Sequence, residues 1–235
     1  MKDLNKKPYR NYGCCEKYFD DDIYPPKMIK HSKTITPNIK NVNTCICKGK
    51  ANGYSSCPPK ELIKNGGFET LGTKTIFADW DNEVEGLDII IEPETNIVYE
   101  GRQSANFDIG PVGSNTRDTA TLTQIVSVNP GCYLTLSFAE RLAEKPVNLE
   151  FYFRAEVYYI SESNNVELIK IERLVPRTAI VEASSFSYHE KTSDIAVPEG
   201  VNFVVVKFTV SINTIAASND DTDFYLDGVS LRAVN

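Results

Sequence analysis

Six cysteines give this 235-residue chain its clearest chemistry, because thiols form disulfides or bind metal ions. Adjacent cysteines make poor partners for each other, since a normal bridge needs well-separated Cα atoms. Five thiols in one segment cannot all pair among themselves, so at least one must bond to the rest of the chain, bond to another molecule, bind a metal or stay free. Of these uses we favour covalent assembly between subunits. Five of the cysteines lie in the first 60 residues and one lies beyond them: Cys14, Cys15, Cys45, Cys47 and Cys57, then Cys132.

Zinc binding is the alternative use of these thiols. Cys45, Cys47 and Cys57 could supply three ligands, and His31 or Cys14 a fourth. The Cys-x-Cys spacing differs from the Cys-x2–4-Cys pairs that are usual in structural zinc sites. Disulfide linkage therefore remains the preferred interpretation.

Charge is distributed unevenly along the chain. The net charge is −7, but residues 1–60 carry 12 Lys and Arg against five Asp and Glu, whereas residues 61–235 carry 13 against 27. This asymmetry favours attraction between the two segments, within a chain or between chains, and a solvated basic tail without a partner is the alternative. The acidic second segment, and a first segment without an arginine-rich cluster, argue against nucleic acid as a partner.

The beginning of the chain carries no recognisable targeting signal. Its first seven residues, MKDLNKK, are followed by Pro8 and Tyr9 rather than by the apolar core of a signal peptide. No run approaches the roughly 18 apolar residues of a membrane span, so we expect no membrane partner. We predict synthesis in the cytoplasm without a signal peptide. The cysteine usage is nevertheless typical of an oxidising environment, so we expect the final location to be extracellular.

Catalytic motifs are missing from the sequence. Its two histidines, His31 and His189, belong to no His-Glu-x-x-His motif, and no Gly-x-Ser-x-Gly motif occurs. Glycoside hydrolysis needs two carboxylates at a set separation, which a sequence cannot display. We therefore predict that the protein is not an enzyme.

The elements that would position these residues are mostly short strands. Residues 1–60 contain repeated prolines and predict an extended arm, whereas residues 61–235 alternate runs of β-branched and aromatic residues with turn signals. The one helix-like stretch is residues 139–145. We predict an all-β fold, an antiparallel jelly-roll β-sandwich with an extended N-terminal arm. The predicted strands cover residues 87–91, 121–128, 133–139, 149–160, 167–172 and 201–212.

A set of motifs within residues 61–235 supports this fold. The segment opens with Asn65-Gly66-Gly67-Phe68-Glu69 and closes with Asp227-Gly228-Val229-Ser230-Leu231, and between them lie YEGRQSA and PGCYLTLSF. This order resembles the jelly-roll domains grouped with carbohydrate-binding modules. It is still more similar to the related domain of clostridial and bacillar spore-surface proteins, which more often have a small polar residue at the position of Cys132. Residues 1–60 are similar in layout to the cysteine-bearing N-terminal connectors of endospore appendage subunits.

The resemblance implies a structural subunit of a spore-surface filament or outer layer. Such a subunit would self-assemble through its N-terminal arm and intermolecular disulfides, and its partners would be copies of itself and other spore-surface proteins. Its final location would be the spore surface. By this analogy Cys14 and Cys15 form the intermolecular bonds, with Cys132 as one acceptor. The other disulfides would come from Cys45, Cys47 and Cys57.

A structural calcium ion is a second implication of the resemblance. In the carbohydrate-module families the opening Glu and the closing Asp lie together and often hold calcium, so Glu69 and Asp227 would be the side-chain ligands here. Carboxylate and carbonyl oxygens are the ligands that calcium prefers. The alternative is that both side chains only cap turns or accept backbone N–H bonds.

The alternative function is that of a carbohydrate-binding module that recognises surface or extracellular glycans. A sugar site on a sheet needs exposed aromatic rings, and the candidates are Trp80, Tyr152 and Tyr158. Half of the residues in a strand face the core, however, and a single tryptophan is typical of core packing.

Overall fold

The structure is a computed structural model that describes residues 57, 60–145, 148–162, 164–217 and 221–235. Of the predicted arm, Cys57 and Lys60 fall within this part. The predictions for Cys14, Cys15, Cys45 and Cys47 lie outside it.

Twelve strands make up the regular structure of the described residues. They are β1 Asp81–Glu85, β2 Ile89–Glu94, β3 Ser104–Ile109, β4 Arg117–Ser127, β5 Tyr133–Leu142, β6 Glu144–Lys145, β7 Leu149–Ser161, β8 Asn164–Val175, β9 Val181–Glu182, β10 Ser187–Thr192, β11 Phe203–Thr214 and β12 Thr222–Val234.

Two five-stranded sheets pack face to face. Sheet 1 has the order β1-β4-β11-β7-β8, sheet 2 has the order β10-β5-β12-β3-β2, and β6 pairs with β9 separately. Neighbouring strands of both sheets run antiparallel. The predicted all-β jelly-roll sandwich is therefore confirmed. No helix within the described residues has the length and apolar character needed to cross a membrane.

The core lies between the sheets because the strands alternate apolar and polar residues. In β11 every second residue is buried, and in β7 the same alternation buries Phe151 and Phe153. Phe208 from sheet 1 packs edge-on against Phe138 from sheet 2, with ring centroids 5.3 Å apart. The alternation leaves the opposite face of sheet 1 to mainly polar side chains, with Ile125 and Phe203 exposed at one end.

The helix predicted for residues 139–145 is wrong. This stretch continues β5 to Leu142 and then forms β6. Phe138 and Leu142 both point into the core, which fits a period of two, and the backbone pairs with β12 as far as Leu142. The pairing of β5 with β10 on one side and β12 on the other outweighs the helix propensity of the Ala-Glu-Arg-Leu sequence.

A bulge divides β12 into two halves. The pairing with β5 shifts between Asp227 and Ser230, and Gly228 lies between them with φ of 59°. Glycine adopts this left-handed conformation without a Cβ penalty. Before the bulge Leu226 points into the core, and after it Leu231 does so. The extra residue therefore changes which positions of the strand face inward.

A disulfide joins Cys57 to Cys132 within the chain, with their Cα atoms 5.6 Å apart. The prediction that Cys132 accepts a bond from another subunit is therefore corrected. Cys132 is fully buried just before β5, where no second subunit can reach its sulfur. Cys57 is also placed by its backbone N–H, which donates to Asn235 Oδ1 at 3.2 Å.

Candidate glycan groove and calcium pocket

The outer face of sheet 1 has a floor of short hydroxyl side chains. In β4 the outward positions between buried residues are Thr119, Thr121 and Thr123, and in β11 they include Thr209 and Ser211. The backbone register places Thr119 opposite Ser211, and their hydroxyl oxygens lie 3.0 Å apart. We call these five residues the hydroxyl floor.

Longer side chains stand on both sides of the hydroxyl floor. On one side β7 presents Tyr152, Arg154 and Glu156, which lie opposite Ser211, Thr209 and Lys207 in the register with β11. On the other side β1 presents exposed carboxylates, with Glu83 opposite Thr121. Because the hydroxyl side chains are shorter than those on either side, they form the floor of a groove. Lys207 of β11, opposite Thr123, projects into it from the same face.

One end of the groove contains a cavity of about 260 Å³. The register aligns Arg117, Asn213 and Glu150 across three neighbouring strands at this end. Asn213 donates its side-chain amide to Glu150 Oε1 at 3.3 Å. The cavity thus combines a guanidinium group, a carboxylate, an amide, hydroxyls and one aromatic ring. Its lining residues are Arg117, Thr119, Glu150, Tyr152, Ser211, Ile212 and Asn213.

Tyr152 is the aromatic residue of this cavity, and its position is fixed by its neighbours. Its hydroxyl donates to Glu172 Oε1 on β8. Burial, and then the hydrogen bond to Glu172, raise the pKa of Tyr152 to about 12, so the hydroxyl stays protonated. Arg154 contacts Glu156 at 2.6 Å and Glu167 at 3.2 Å, so the charges beside the ring are largely paired. The ring is therefore held by contacts present before any ligand arrives.

The other end of the groove is more apolar. Tyr158 lies opposite Val205 in the register, and Val205 lies opposite Ile125. Ile125 is 62 % exposed and Phe203 is 60 % exposed. Tyr158, the second glycan-facing candidate, therefore lies on the same face as Tyr152 but among aliphatic neighbours.

Trp80 does not face a glycan, and its prediction as a glycan-facing residue is wrong. The side chain is 1 % exposed and packs between Phe68 and Phe208, with ring centroids 5.4 and 6.0 Å away. Its indole N–H donates to the carbonyl of Asn65 at 3.0 Å. A buried tryptophan needs such a partner, and the turn at Asn65 supplies it.

The two ends of the sequence motif meet beside the bulge of β12, the central strand of sheet 2. Val229 N–H donates to the carbonyl of Gly66 at 3.0 Å, which joins the opening turn to the bulge of β12. Glu69 Oε1 and Asp227 Oδ1 each lie 3.9 Å from the point where a Cβ on Gly67 would stand. A Cβ on Gly101 would lie 1.9 Å from Glu69 Oε1. Glycine at these two positions thus leaves room for two carboxylates, and we call this place the carboxylate pocket.

Backbone N–H groups also hold both carboxylates of the pocket. Asp227 Oδ2 accepts from Tyr99 and Glu100 at 2.8 and 3.0 Å, and Glu69 Oε1 accepts from Arg102 at 2.6 Å. Burial nevertheless raises the pKa of Asp227 to about 6, against the lowering effect of its backbone donors. Within the described residues no three His, Cys, Asp or Glu side chains converge as ligands. Two carboxylates side by side are ligands of the hard-oxygen type that calcium prefers.

Comparisons with known proteins find solved structures that are similar in fold at low sequence identity. No protein-family model and no curated protein matches the chain. Among solved structures, the enzymatically active domain of tailspike protein 4 from bacteriophage CBA120 has a TM-score of 0.49 at 16 % identity, over 74 % of this chain and 21 % of that one. This chain thus spans about a fifth of the tailspike.

Two smaller proteins match over nearly their whole length. TmCBM61, a structure solved with β-1,4-galactotriose, has a TM-score of 0.45 at 18 % identity, over 74 % of this chain and 99 % of that one. The CBM22-1 xylan-binding domain from Paenibacillus barcinonensis Xyn10C has a TM-score of 0.44 at 12 % identity, over 77 % and 99 %.

Proposed function

We propose that the protein binds an oligosaccharide in the groove on the outer face of sheet 1. The observation that carries this proposal is the hydroxyl floor, which lies between longer side chains and leads to the cavity beside Tyr152. Sugar hydroxyls are donors and acceptors at once, so they pair well with threonine, serine, asparagine and carboxylate groups. The apolar face of a sugar ring can cover an aromatic ring.

The length of the groove favours an oligosaccharide over a single sugar. From Arg117 to Ile125 the floor strand advances eight residues, which corresponds to about 27 Å at the usual strand rise. The polar end holds Arg117, Asn213 and Glu150, whereas the other end holds Tyr158 among aliphatic side chains. A ligand lying along the strands would meet both environments.

Glycan-array screening of the full chain, followed by calorimetry with the best ligand, tests this proposal. Tyr152→Ala removes the ring and should weaken binding at least tenfold. Tyr152→Phe keeps the ring and loses only the hydrogen bond to Glu172, so we expect a smaller loss. Tyr188→Ala is the matched control, because Tyr188 is 54 % exposed on β10 of the other sheet. An array without ligands, or equal losses for Tyr152→Ala and Tyr188→Ala, would refute a glycan site here.

A second candidate function is that of a structural subunit of a spore-surface filament or outer layer. The bridge between Cys57 and Cys132 uses two of the six cysteines and leaves Cys14, Cys15, Cys45 and Cys47. These four cysteines, together with opposite charges on the two segments of the sequence, favour covalent self-assembly. The bridge found here removes Cys132 as an acceptor, so the remaining cysteines would have to join one another.

Gel electrophoresis of the full chain with and without reductant, beside electron microscopy, tests this candidate. We expect a ladder that collapses on reduction, and its loss in the double variant Cys14→Ser with Cys15→Ser. The double variant Cys57→Ser with Cys132→Ser should keep the ladder, because it removes only the bridge within the chain. A single band near 26 kDa without reductant would count against assembly.

We also propose that the carboxylate pocket holds a structural calcium ion through Glu69 and Asp227. The support is the pair of glycines that leaves room between the carboxylates, and the buried charge of Asp227 that a cation would offset. Calcium would tie the turn after Asn65 to the bulge of β12. It would supply no chemistry to the groove, which lies on the other sheet.

A further inference from the structure

Arg117 brings an uncompensated charge to the cavity at the polar end of the groove. Other arginines around the groove have carboxylate partners: Arg154 contacts Glu156 at 2.6 Å, and Arg177 lies 3.9 Å from Glu150. Arg117 lines the cavity and forms no ion pair with any residue that the structure describes. Its guanidinium therefore remains available for a ligand.

Two acids that adjoin Arg117 in the chain or in the register, Asp118 and Glu150, are engaged elsewhere. Asp118, its neighbour in the chain, is 5 % exposed and accepts the backbone N–H groups of Leu87 and Asp88 at 2.8 and 2.7 Å. Glu150 accepts from Asn213 at 3.3 Å and lies within 3.9 Å of Arg177. These contacts account for Asp118 and Glu150, and the exposed carboxylate on the strand beside Arg117 is Glu85, which lies opposite Thr119.

We infer that the ligand of the groove is a saccharide with an acidic sugar of the uronate type, whose carboxylate pairs with Arg117. This inference rests on the proposed glycan function and names its ligand class. A guanidinium matches a carboxylate with two parallel hydrogen bonds, which gives both strength and orientation. Asn213 and Ser211 lie on the neighbouring strand, where they can hold hydroxyl groups of the same sugar.

The acidic side of the groove limits how many acidic sugars the ligand carries. Asp81, Glu83 and Glu85 project from β1 beside the hydroxyl floor, and all three are exposed carboxylates. A chain with an acid on every unit would be repelled along this side. The ligand class is therefore a mainly neutral oligosaccharide with an isolated acidic unit that lies at the Arg117 end.

A glycan array with neutral, singly carboxylated, sulfated and polyuronate oligosaccharides tests this inference on the full chain. We expect the singly carboxylated glycans to give the strongest signals. The best of them is then compared by calorimetry with its carboxyl-reduced form, in which the acid has become a neutral alcohol. The reduced form should bind at least tenfold more weakly, and the difference should shrink as salt is raised.

Variants at Arg117 test whether this residue binds the carboxylate of the glycan. Arg117→Gln should weaken binding of the carboxylated glycan at least tenfold and weaken binding of its reduced form much less, while Arg117→Lys should lie between Arg117→Gln and the native protein. Arg232→Gln is the control, because it removes the same charge from β12 of the other sheet. Preference for neutral, sulfated or polyuronate glycans, or equal binding by Arg117→Gln, would overturn the inference while leaving a glycan function in place. Binding of no glycan at all would overturn the proposed function itself.

Discussion

Arg173 on β8 of sheet 1 donates from one guanidinium nitrogen to both carboxylate oxygens of Glu140 on β5 of sheet 2, at 2.6 and 2.8 Å. The Glu140 side chain is only 2 % exposed, and His189 Nε2 lies 3.3 Å from the same carboxylate. Since the two strands belong to different sheets, this contact joins the sheets near the edge formed by β8 and β10. Glu140 is thus a buried acid that depends on two partners.

Glu140→Gln should destabilise the fold by about 2–3 kcal/mol. Removing one partner of a buried ion pair commonly costs about 3–5 kcal/mol. The Arg173 side chain is 30 % exposed, however, so water can hydrate part of its charge in the variant. Urea denaturation would measure the change. Glu167→Gln is the control, because Glu167 pairs on the surface and should cost under about 1 kcal/mol. Equal effects of both variants would show that the contact between sheets contributes little.

Loss of the bridge between Cys57 and Cys132 should lower stability by about 4 kcal/mol. The two residues are 75 positions apart, and closing a loop of that size restricts the unfolded chain. The double variant Cys57→Ser with Cys132→Ser should unfold at lower denaturant concentration than the native protein. Reductant should destabilise the native protein by a similar amount and leave the double variant almost unchanged. A strong effect of reductant on the double variant would point to another stabilising disulfide.

The stability contributed by Asp227 should fall as pH rises from about 4 to 6 in the presence of a chelator. Burial raises the pKa of Asp227 from 3.8 to about 6, so the folded state binds this proton more tightly than the unfolded state does. Stability therefore decreases until the folded group has ionised, by about 3 kcal/mol in total. The stability difference between the native protein and Asp227→Asn isolates this one group across the pH range. A flat difference would contradict the effect of burial on Asp227.

Calcium should reverse this penalty above pH 6. A cation at the carboxylate pocket favours ionised Asp227, so millimolar calcium should raise the melting temperature at pH 7.5 and do so much less at pH 5. Glu69→Gln and Asp227→Asn should abolish the shift. Glu61→Gln is the control, because Glu61 is not part of the carboxylate pocket and its carboxylate accepts the backbone N–H groups of Leu62 and Ile63. A shift that survives both pocket variants would place the ion elsewhere.

Asn65→Asp should destabilise the opening turn by about 2–3 kcal/mol. The Asn65 amide donates to the carbonyls of Thr70 and Ala78 at 2.8 and 2.9 Å, and an aspartate would lose both donors. Asn65 also has φ of 51°, a conformation that asparagine and glycine tolerate best. Asn65→Gly would keep the backbone and lose the side-chain bonds, which separates the two causes. Thermal unfolding of the three proteins would rank them, and an Asn65→Asp variant as stable as the native protein would contradict the role of the amide.

The sequence predicted features that depend on local chemistry. The turn at Asn65-Gly66-Gly67 and the alternation of β5, β7 and β11 follow from residue types a few positions apart. Features that depend on pairing between distant strands were not predicted. The hydroxyl floor depends on the register of β4 with β11, and the alternating threonines alone do not determine that register. Their alternation with Ala120 and Leu122 was nevertheless a signal that one polar face would be formed.

The surroundings of Trp80 and Glu140 depend on residues far away in the sequence. Trp80 was a candidate for the glycan face although a single tryptophan is typical of core packing, and the structure gives it a hydrogen bond to Asn65 within the core. Glu140 was overlooked because its partner Arg173 is 33 residues away. Its signal was a charge at an inward position of β5, between Phe138 and Leu142. An acid at such a position requires a partner from the facing sheet.

The bulge at Gly228 makes the last strand intolerant of changes in length. Because the inward positions are even-numbered before Gly228 and odd-numbered after it, a deletion of one residue there would turn Leu231 and Ala233 toward solvent. The same deletion would pull Asp227 away from the turn that carries Glu69. In contrast, a deletion in the turn around Gly200 would lie between strands rather than within one, at a glycine with open space around it. Libraries of single-residue deletions should therefore be depleted at positions 227–230 and retained near position 200.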